Sequence, residues 1–168
     1  MSGDDLFMKV SIIIGSDSDW PIMKPAAETL KQFGVEAEVT VASAHRTPAR
    51  VEKWVKTASE RGVCAFIAAA GGAAHLAGVV ASHTVLPVIG VPINATPLNG
   101  MDALLSTVQM PSGIPVATMG VNGAKNAALF ALQILAVKDA GLAEKLGEHR
   151  DNLAKEVEKK AAYVASQM

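Results

Sequence analysis

Residues 63–72 read VCAFIAAAGG and give the strongest indication of the architecture. Residues 63–69 form a continuous apolar run that ends at a pair of glycines, which predicts a strand buried on both faces. Four further segments have the pattern of a strand: 10–14, 35–41, 86–91 and 116–119. Helical patterns follow all five segments. Buried strands that alternate with helices indicate a parallel sheet with helices on both faces.

Five strand–helix units predict a flavodoxin-like, three-layer α/β/α fold with a five-stranded parallel sheet. An extra C-terminal helix is expected over residues 141–165, where leucine and valine recur on one stripe of a charged segment. The chain has 168 residues, and a single domain usually has roughly 100–200. We therefore expect residues 1–168 to form one domain, with residues 1–8 peripheral or disordered.

The composition excludes several classes of protein. Half of the residues are hydrophobic and 18% are charged, which excludes a disordered chain. Fifteen Lys and Arg face sixteen Asp and Glu, and this near-neutral balance argues against a nucleic-acid partner. No segment has the pattern of a membrane span or a secretory signal. The single cysteine, Cys64, has no partner for an internal disulfide, so a reducing cytoplasmic location is expected.

Charged residues are distributed unevenly along the chain. Residues 63–124 contain one charged residue, Asp102, whereas residues 139–160 contain eleven. A monomer must solvate its surface, so a long charge-free segment is expected to lie partly in the core and partly against another subunit. The predicted helices 73–82 and 126–138 are apolar on every side, which is typical of buried helices.

Ligands of open α/β sheets bind outside the carboxyl ends of the strands. In this chain the loops at that edge are expected at residues 15–20, 42–48, 70–75, 92–100 and 110–115. The last of these loops and the short helix before it contain uncharged polar residues. Those residues are expected either to close over a ligand or to contact another subunit.

The first loop reads GSDSDW, residues 15–20, and has more than one interpretation. Free backbone N–H groups at a helix N-terminus and the hydroxyls of Ser16 and Ser18 suit an anion. The carboxylate of Asp19 suits ribose hydroxyls. Ordinary capping of the helix by Ser18 or Asp19 is equally compatible with the pattern. The loop lacks the residues of a P-loop and of a dinucleotide fingerprint.

The second and third loops supply titratable and basic side chains. His45 is the best candidate for a general acid and base because imidazole titrates near neutral pH. Arg46 can hold a phosphate or carboxylate through its fork of donors. Gly71 and Gly72 let a flat ligand approach the backbone closely. His75, in the expected first turn of the next helix, is either a member of the site or a core histidine.

The histidines and carboxylates show no metal-ligand spacing, so no metal is expected. A flavin is not expected either, because Trp20 is the only aromatic residue near these loops and a flavin ring usually stacks on aromatics.

Four segments together resemble one family, the N5-carboxyaminoimidazole ribonucleotide mutases of purine biosynthesis (class I of the PurE family). The segments are GSDSDW at 15–20, SAHRTP at 43–48, AGGAAHL at 70–76 and LLSTVQMP at 104–111. The similarity extends from about residue 9 to about residue 137. It implies an isomerase that moves a carboxylate from the exocyclic nitrogen of an aminoimidazole ribonucleotide to ring carbon 4. Members of the family need no metal or cofactor and form homo-octamers.

The resemblance implies two catalytic residues, His45 and His75. It implies substrate-binding roles for Ser16, Ser18, Asp19, Ser43, Ala44, Arg46, Ala70, Gly71, Gly72, Ala73 and Leu76. By this analogy the two serines and the arginine hold the 5′-phosphate, and Asp19 binds the ribose. His45 protonates the departing nitrogen and later takes the proton from carbon 4. The glycine pair, Ala73 and His75 line the pocket for carbon dioxide.

Two alternatives stay open at the level of sequence. A related branch carboxylates aminoimidazole ribonucleotide directly with carbon dioxide, and the first three motifs do not separate it from the mutases. A non-catalytic nucleotide- or flavin-binding module can also be built on the same fold, because a fold alone does not define a function.

Overall fold

The structure is a computed structural model that describes residues 8–168. The expectation for residues 1–8 therefore lies almost entirely outside the described residues. Five strands are present: β1 (Lys9–Ile14), β2 (Glu36–Val41), β3 (Val63–Gly71), β4 (Val88–Ile93) and β5 (Ala117–Thr118). They form one sheet in the order β2-β1-β3-β4-β5, and every neighbouring pair is parallel. The predicted flavodoxin-like α/β fold with a five-stranded parallel sheet is confirmed.

Six α-helices are described: α1 (Trp20–Gln32), α2 (Pro48–Lys56), α3 (Leu76–Ser82), α4 (Met101–Val108), α5 (Ala124–Ala136) and α6 (Ala140–Ala165). One turn of 3-10 helix, Asp17–Asp19, precedes α1, and another, Ser59–Arg61, follows α2. The chain divides into two compact units with a boundary between Leu132 and Gln133. The single domain expected from the sequence stays a prediction.

The first unit contains the sheet, in which β3 is the central strand and β1 is one of its two neighbours. Ile12 of β1 pairs with Ile67 of β3, and Ile13 pairs with Ala68. Ile12, Ile13 and Ile67 are fully buried, because a β-branched side chain packs well on a pleated surface that is covered on both faces. Each such side chain stabilises the fold by about 1.5–3 kcal/mol.

The second unit contains all of α6, which begins one residue before the expected position 141. The backbone N–H of Leu142 donates to Asp139 Oδ1 over 2.9 Å and caps the helix. Leu153, Val157 and Val164 of α6 are exposed, so the apolar stripe expected over residues 141–165 lies in the solvent along much of its length.

Several predicted boundaries are wrong, and the third loop matters most for the site. Strand β3 continues to Gly71, and the helix expected over residues 73–82 begins only at Leu76. Gly72 has a φ of 62°, which turns the chain away from the strand. The next two N–H groups bond only two residues back, from Ala74 to Gly72 O and from His75 to Ala73 O, each over 2.8 Å. The backbone is therefore too tightly turned there for a helix.

Three other elements differ from expectation in length or position. Strand β4 lies two residues later than the expected 86–91, and β5 has only two residues of the expected 116–119. Helix α5 begins and ends two residues before the expected 126–138. Cys64, which lies in the apolar run at residues 63–69, is half-buried.

Candidate active site

The carboxyl ends of β1, β2 and β3 meet at one edge of the sheet. Ile14 at the end of β1 pairs with Val41 of β2 on one side and Ala69 of β3 on the other. The loops that follow these strands therefore begin side by side, as a parallel register requires.

The first loop is a capping box centred on Ser16. The N–H of Ser18 donates to Ser16 Oγ, and the N–H of Ser16 donates to Asp19 Oδ2 over 3.1 Å. The Ser18 hydroxyl donates to Ser16 Oγ over 2.9 Å. The expected capping by Ser18 or Asp19 is wrong, because Ser16 caps the 3-10 turn and Asp19 forms no side-chain bond to the start of α1. Ser16 and Ser18 nevertheless both line the cavity that is described below.

Asp19 is the buried carboxylate of this loop, with 5% of its surface exposed. Burial raises the pKa of Asp19 above its ordinary value, and the nearby charge of Asp17 acts in the same direction. The N–H groups of Ser16 and Gly15 lower the pKa and partly oppose this effect. The carboxylate is thus an acceptor that water reaches poorly.

The second loop is organised by Ser43 and Thr47. The N–H of Ser43 donates to Thr47 Oγ1 over 2.9 Å, and the N–H of Arg46 donates to Ser43 Oγ over 3.2 Å. Thr47 is the N-cap residue before Pro48, the first residue of α2, but its side chain forms no capping bond to that helix. The Arg46 side chain reaches the first loop, where Nη2 donates to Gly15 O over 3.3 Å. Arg46 therefore joins the first and second loops.

His45 and His75 come from different loops and contact each other directly. His45 Nε2 lies 2.9 Å from His75 Nδ1, and the ring planes are nearly perpendicular at 82°. One ring nitrogen must donate and the other must accept, so the two tautomers are linked. The third loop places His75 immediately before α3, at its N-cap position. His75 is exposed and contacts His45, so it lies beside the candidate site and is not a core histidine.

The two glycines of the third loop lie against residues that follow β4 or end it, and not against open space. A Cβ on Gly71 would lie 2.5 Å from Ala95 Cβ and 3.1 Å from Ile93 O. A Cβ on Gly72 would meet Thr96 Cγ2 at 3.6 Å. The absence of a side chain at Gly71 therefore lets the segment after β4 approach the third loop. The expectation from the sequence was that the glycines would instead let a flat ligand approach the backbone.

The three loops and this segment enclose a cavity of about 340 Å³, within the size range of small-molecule sites. It is lined by Gly15, Ser16, Ser18, Asp19, Ser43, Ala44, His45, Arg46, Ala70, Gly71, Ala73, Leu76 and Ala95. Eleven of the thirteen residues predicted for the site are in this lining. Gly72 and His75 are not, although His75 touches the lining through His45. Gly15 and Ala95 were missed, because neither has a side chain that carries chemistry.

The cavity is open to solvent on one side. His45, Arg46 and Ala73 are all exposed, so this single chain does not exclude water from the cavity. Ser16 and Arg46 are part of the cavity lining, and so are the apolar residues Ala70 and Leu76. The cavity therefore combines donors suited to an anion with a small apolar recess.

Two other observations concern possible ligands and location. Among residues 8–168, no group of three or more His, Cys, Asp or Glu side chains is placed to hold a metal ion. Within the same residues, none of the helices has the length and apolar character needed to cross a membrane.

Comparison with known proteins assigns the chain to a family. The family model described as AIR carboxylase matches residues 9–156. The chain therefore belongs to the AIR carboxylase family, which confirms the family resemblance inferred from the four motifs.

Relatives within this family carry one name. The chain is 59% identical over 152 residues to the N5-carboxyaminoimidazole ribonucleotide mutase of Pyrococcus horikoshii, covering 90% of this chain and 86% of that protein. It is 54% identical over 153 residues to the enzyme of the same name from Thermotoga maritima, covering 91% and 90%. The crystal structure of Treponema denticola PurE superposes with a TM-score of 0.84 at 29% identity, covering 92% of this chain and 97% of that one.

Proposed function

We propose that this chain is an N5-carboxyaminoimidazole ribonucleotide mutase. It converts that ribonucleotide into 4-carboxy-5-aminoimidazole ribonucleotide, as the name of its relatives implies. The observation that carries the proposal is the cavity in which eleven of the predicted site residues meet, with His45 in contact with His75. The proposed roles of these residues follow from their chemistry.

The first and second loops bind the phosphate and the ribose. The hydroxyls of Ser16 and Ser18 and the guanidinium of Arg46 line the same cavity and donate to the 5′-phosphate. The carboxylate of Asp19 accepts from the ribose hydroxyls. Because the N–H of Ser16 already holds Asp19 Oδ2, the acceptor is fixed in position before the substrate arrives.

The reaction consists of a decarboxylation followed by a carboxylation. The bond between the exocyclic nitrogen and its carboxylate carbon breaks, and the electron pair stays on the nitrogen, which takes a proton from His45. Ring carbon 4 then attacks the released carbon dioxide, forming a carbon–carbon bond, and loses its proton to the same imidazole. The proton that His45 gives is thus recovered within one turnover.

His75 supports this cycle through its contact with His45. The 2.9 Å contact orients the His45 ring and offers an acceptor or a donor to match its protonation state. Ser43, Ala44, Ala70, Gly71, Gly72, Ala73 and Leu76 surround the reacting groups in this proposal. Small and apolar side chains suit carbon dioxide, which offers little for a polar group to bind. The proposed route uses no metal or cofactor.

We further propose that the active form is a homo-octamer in the cytoplasm. The open side of the cavity supports an assembly, because carbon dioxide has to be retained and water kept out. Leu98 and three residues on one face of α4 (Met101, Leu105 and Val108) are exposed apolar side chains in the segment 63–124, which contains a single charged residue. A surface of this kind is typical of a contact between subunits. The cytoplasmic location is favoured by the single cysteine.

Direct carboxylation of aminoimidazole ribonucleotide is the second candidate, because the matching family model is described as AIR carboxylase. One assay separates the two activities. Purified protein is given N5-carboxyaminoimidazole ribonucleotide or, separately, aminoimidazole ribonucleotide with bicarbonate, and the carbon-4 product is followed in each. Efficient conversion of the first substrate, with the second requiring very high bicarbonate, is the expected result. Preference for the second substrate would establish the carboxylase.

A binding module without catalysis is tested with His45→Asn. The variant should bind aminoimidazole ribonucleotide as the parent does and lose turnover, because asparagine does not transfer a proton near neutral pH. Retained turnover would refute the role of His45, and absence of product with the parent protein would leave only a binding function.

A further inference from the structure

The segment from Asn94 to Gly100, which we call the cover loop, forms one wall of the cavity. Its Ala95 lines the cavity directly. The same residue rests against Gly71, since a Cβ there would come within 2.5 Å of Ala95 Cβ. The position of the cover loop therefore sets the width of the recess beside the third loop.

The two ends of the cover loop are fixed by residues near β5. The N–H of Asn94 donates to Asn122 Oδ1 over 3.0 Å. At the other end, Gly100 lies so close to Val121 that a Cβ on it would be 2.5 Å from Val121 Cγ1. The residues between these ends are mostly exposed, so few buried contacts hold them.

The middle of the cover loop is organised around Thr96. The N–H of Leu98 donates to Thr96 Oγ1 over 3.2 Å, and the N–H of Asn99 donates to Thr96 O over the same distance. The Thr96 hydroxyl in turn donates to Asp102 Oδ2 over 2.7 Å. This short bond to a carboxylate connects the middle of the loop to the first turn of α4.

Asp102 is unusual in its surroundings. It is the one charged residue among residues 63–124 and is half-buried. Its Oδ1 is inaccessible to solvent and has no hydrogen-bond partner, and Asp102 does not cap α4. Burying part of a carboxylate costs free energy. The favourable interaction with the dipole of α4 offsets only a small part of that cost. The bond to Thr96 is the specific contact that this carboxylate makes.

Helix α4 is a rigid support for that contact. Thr107 of α4 is buried against β4, and a Cβ on Gly90 would lie 2.5 Å from Thr107 Cγ2. The helix therefore packs directly on the backbone of the sheet, and Asp102, in the first turn of α4, is held in position relative to β4.

We propose that Asp102 is a positioning residue, which acts through Thr96 to keep the cover loop closed over the carbon dioxide recess. This inference rests on the proposed function. Carbon dioxide forms no strong polar contacts, so its retention depends on the walls of the recess. When the Thr96–Asp102 bond is lost, the middle of the loop moves away from Gly71 more often. Carbon dioxide then escapes before carbon 4 is carboxylated, and aminoimidazole ribonucleotide is released.

The test measures the ratio of released aminoimidazole ribonucleotide to carbon-4 product, starting from N5-carboxyaminoimidazole ribonucleotide and subtracting an enzyme-free blank. Thr96→Val keeps the shape and removes the donor to Asp102 together with the acceptor for the Leu98 N–H. Asp102→Ala removes only the acceptor of the Thr96 hydroxyl and is the more specific variant. Each should raise the ratio about tenfold with little change in KM, because the phosphate and ribose contacts are untouched. Asp102→Asn keeps an acceptor oxygen and should raise the ratio much less. Ser82→Ala is the matched control, because Ser82 lies at the end of α3 that is away from the third loop. This variant should leave the ratio unchanged.

Each possible outcome distinguishes the inference from the function on which it rests. A parent protein that forms no carbon-4 product refutes the proposed function, and the inference fails with it. A parent protein that converts the substrate, together with folded Thr96→Val and Asp102→Ala variants that keep the parent ratio, overturns the inference alone. Equal release by Asp102→Asn and Asp102→Ala would also overturn it, because the charge rather than the bond would then be responsible.

Discussion

Replacement of Gly71 by alanine tests the close approach of the cover loop to the third loop. The new Cβ would lie 2.5 Å from Ala95 Cβ and 3.1 Å from Ile93 O. Carbon atoms in contact are usually about 3.5–4.0 Å apart. The cover loop must therefore move by roughly 1 Å or more, and Ile93 O, which belongs to strand β4, has little freedom to follow.

The size of the effect follows from two opposing contributions. Overpacking of this kind costs about 1–3 kcal/mol. Alanine also restricts the unfolded chain, which returns about 0.4–1 kcal/mol. The net loss should be about 1–2 kcal/mol, which for a chain of this length corresponds to a fall in Tm of about 2–8 °C.

The assay is thermal unfolding of the parent, Gly71→Ala, Ala95→Gly and the double variant at one fixed protein concentration. Ala95→Gly removes the 2.5 Å contact but leaves the 3.1 Å contact to Ile93 O. The double variant should therefore recover more than half of the loss, and the two substitutions should be strongly non-additive.

Two results would refute this reasoning. A Gly71→Ala protein that unfolds at the temperature of the parent would show that the two loops are not in contact as described. Additive effects of the two substitutions would show that the loss has another origin than the contact with Ala95.

Four further substitutions have defined outcomes. His75→Asn should lower kcat more than it raises KM, because His45 loses the ring contact that orients it; steady-state kinetics with an unchanged kcat would contradict this. Arg46→Lys should weaken binding of aminoimidazole ribonucleotide about tenfold, measured by calorimetry, because the fork of donors is lost. Asp19→Asn should have little effect on the free energy of unfolding at low pH. It should become relatively stabilising as the pH rises from 3.8 through the raised pKa of Asp19, because the buried carboxylate ionises only in the parent; urea unfolding at two pH values checks the sign. Burial alone would raise the pKa of Glu38, but the Arg61 and Ser11 hydrogen bonds and the nearby positive charges lower it overall. Glu38→Gln should therefore cost about 1.5 kcal/mol at neutral pH, and urea unfolding should show this difference disappearing as the pH falls below 4.5 through the lowered pKa.

The sequence predicts the parts of the fold that depend on local patterns. Strands β1 and β3 are mostly apolar and include β-branched residues, and the burial of their apolar side chains follows from that pattern. Strand β5 has only two residues, Ala117 and Thr118, and its length is set by pairing with Ile89 and Gly90 of β4. A pairing partner 28 residues away in the chain leaves no local signal, so the expected strand was too long.

The candidate site likewise contains residues that the sequence predicts and residues that it does not predict. Its polar residues could be found because serine, histidine and arginine carry their chemistry in the side chain and follow predicted strands. Ala95 could not be found, because its place in the lining depends on the empty space at Gly71. The start of α3 was misplaced because Ala73, Ala74 and His75 are compatible with a helix, and only the backbone at Gly72 shows that the chain turns first.

The contact between the two imidazoles links the protonation of the two ring nitrogens that do not take part in it. His45 Nε2 and His75 Nδ1 share one hydrogen, so in the neutral pair exactly one of the two outer nitrogens, His45 Nδ1 and His75 Nε2, carries a proton. A proton that arrives at one outer nitrogen can therefore be matched by release from the other, as in a relay. A group that donates a hydrogen bond to His75 Nε2 will fix the tautomer of His45, and ¹⁵N NMR of the four ring nitrogens should record the two outer positions in opposite states.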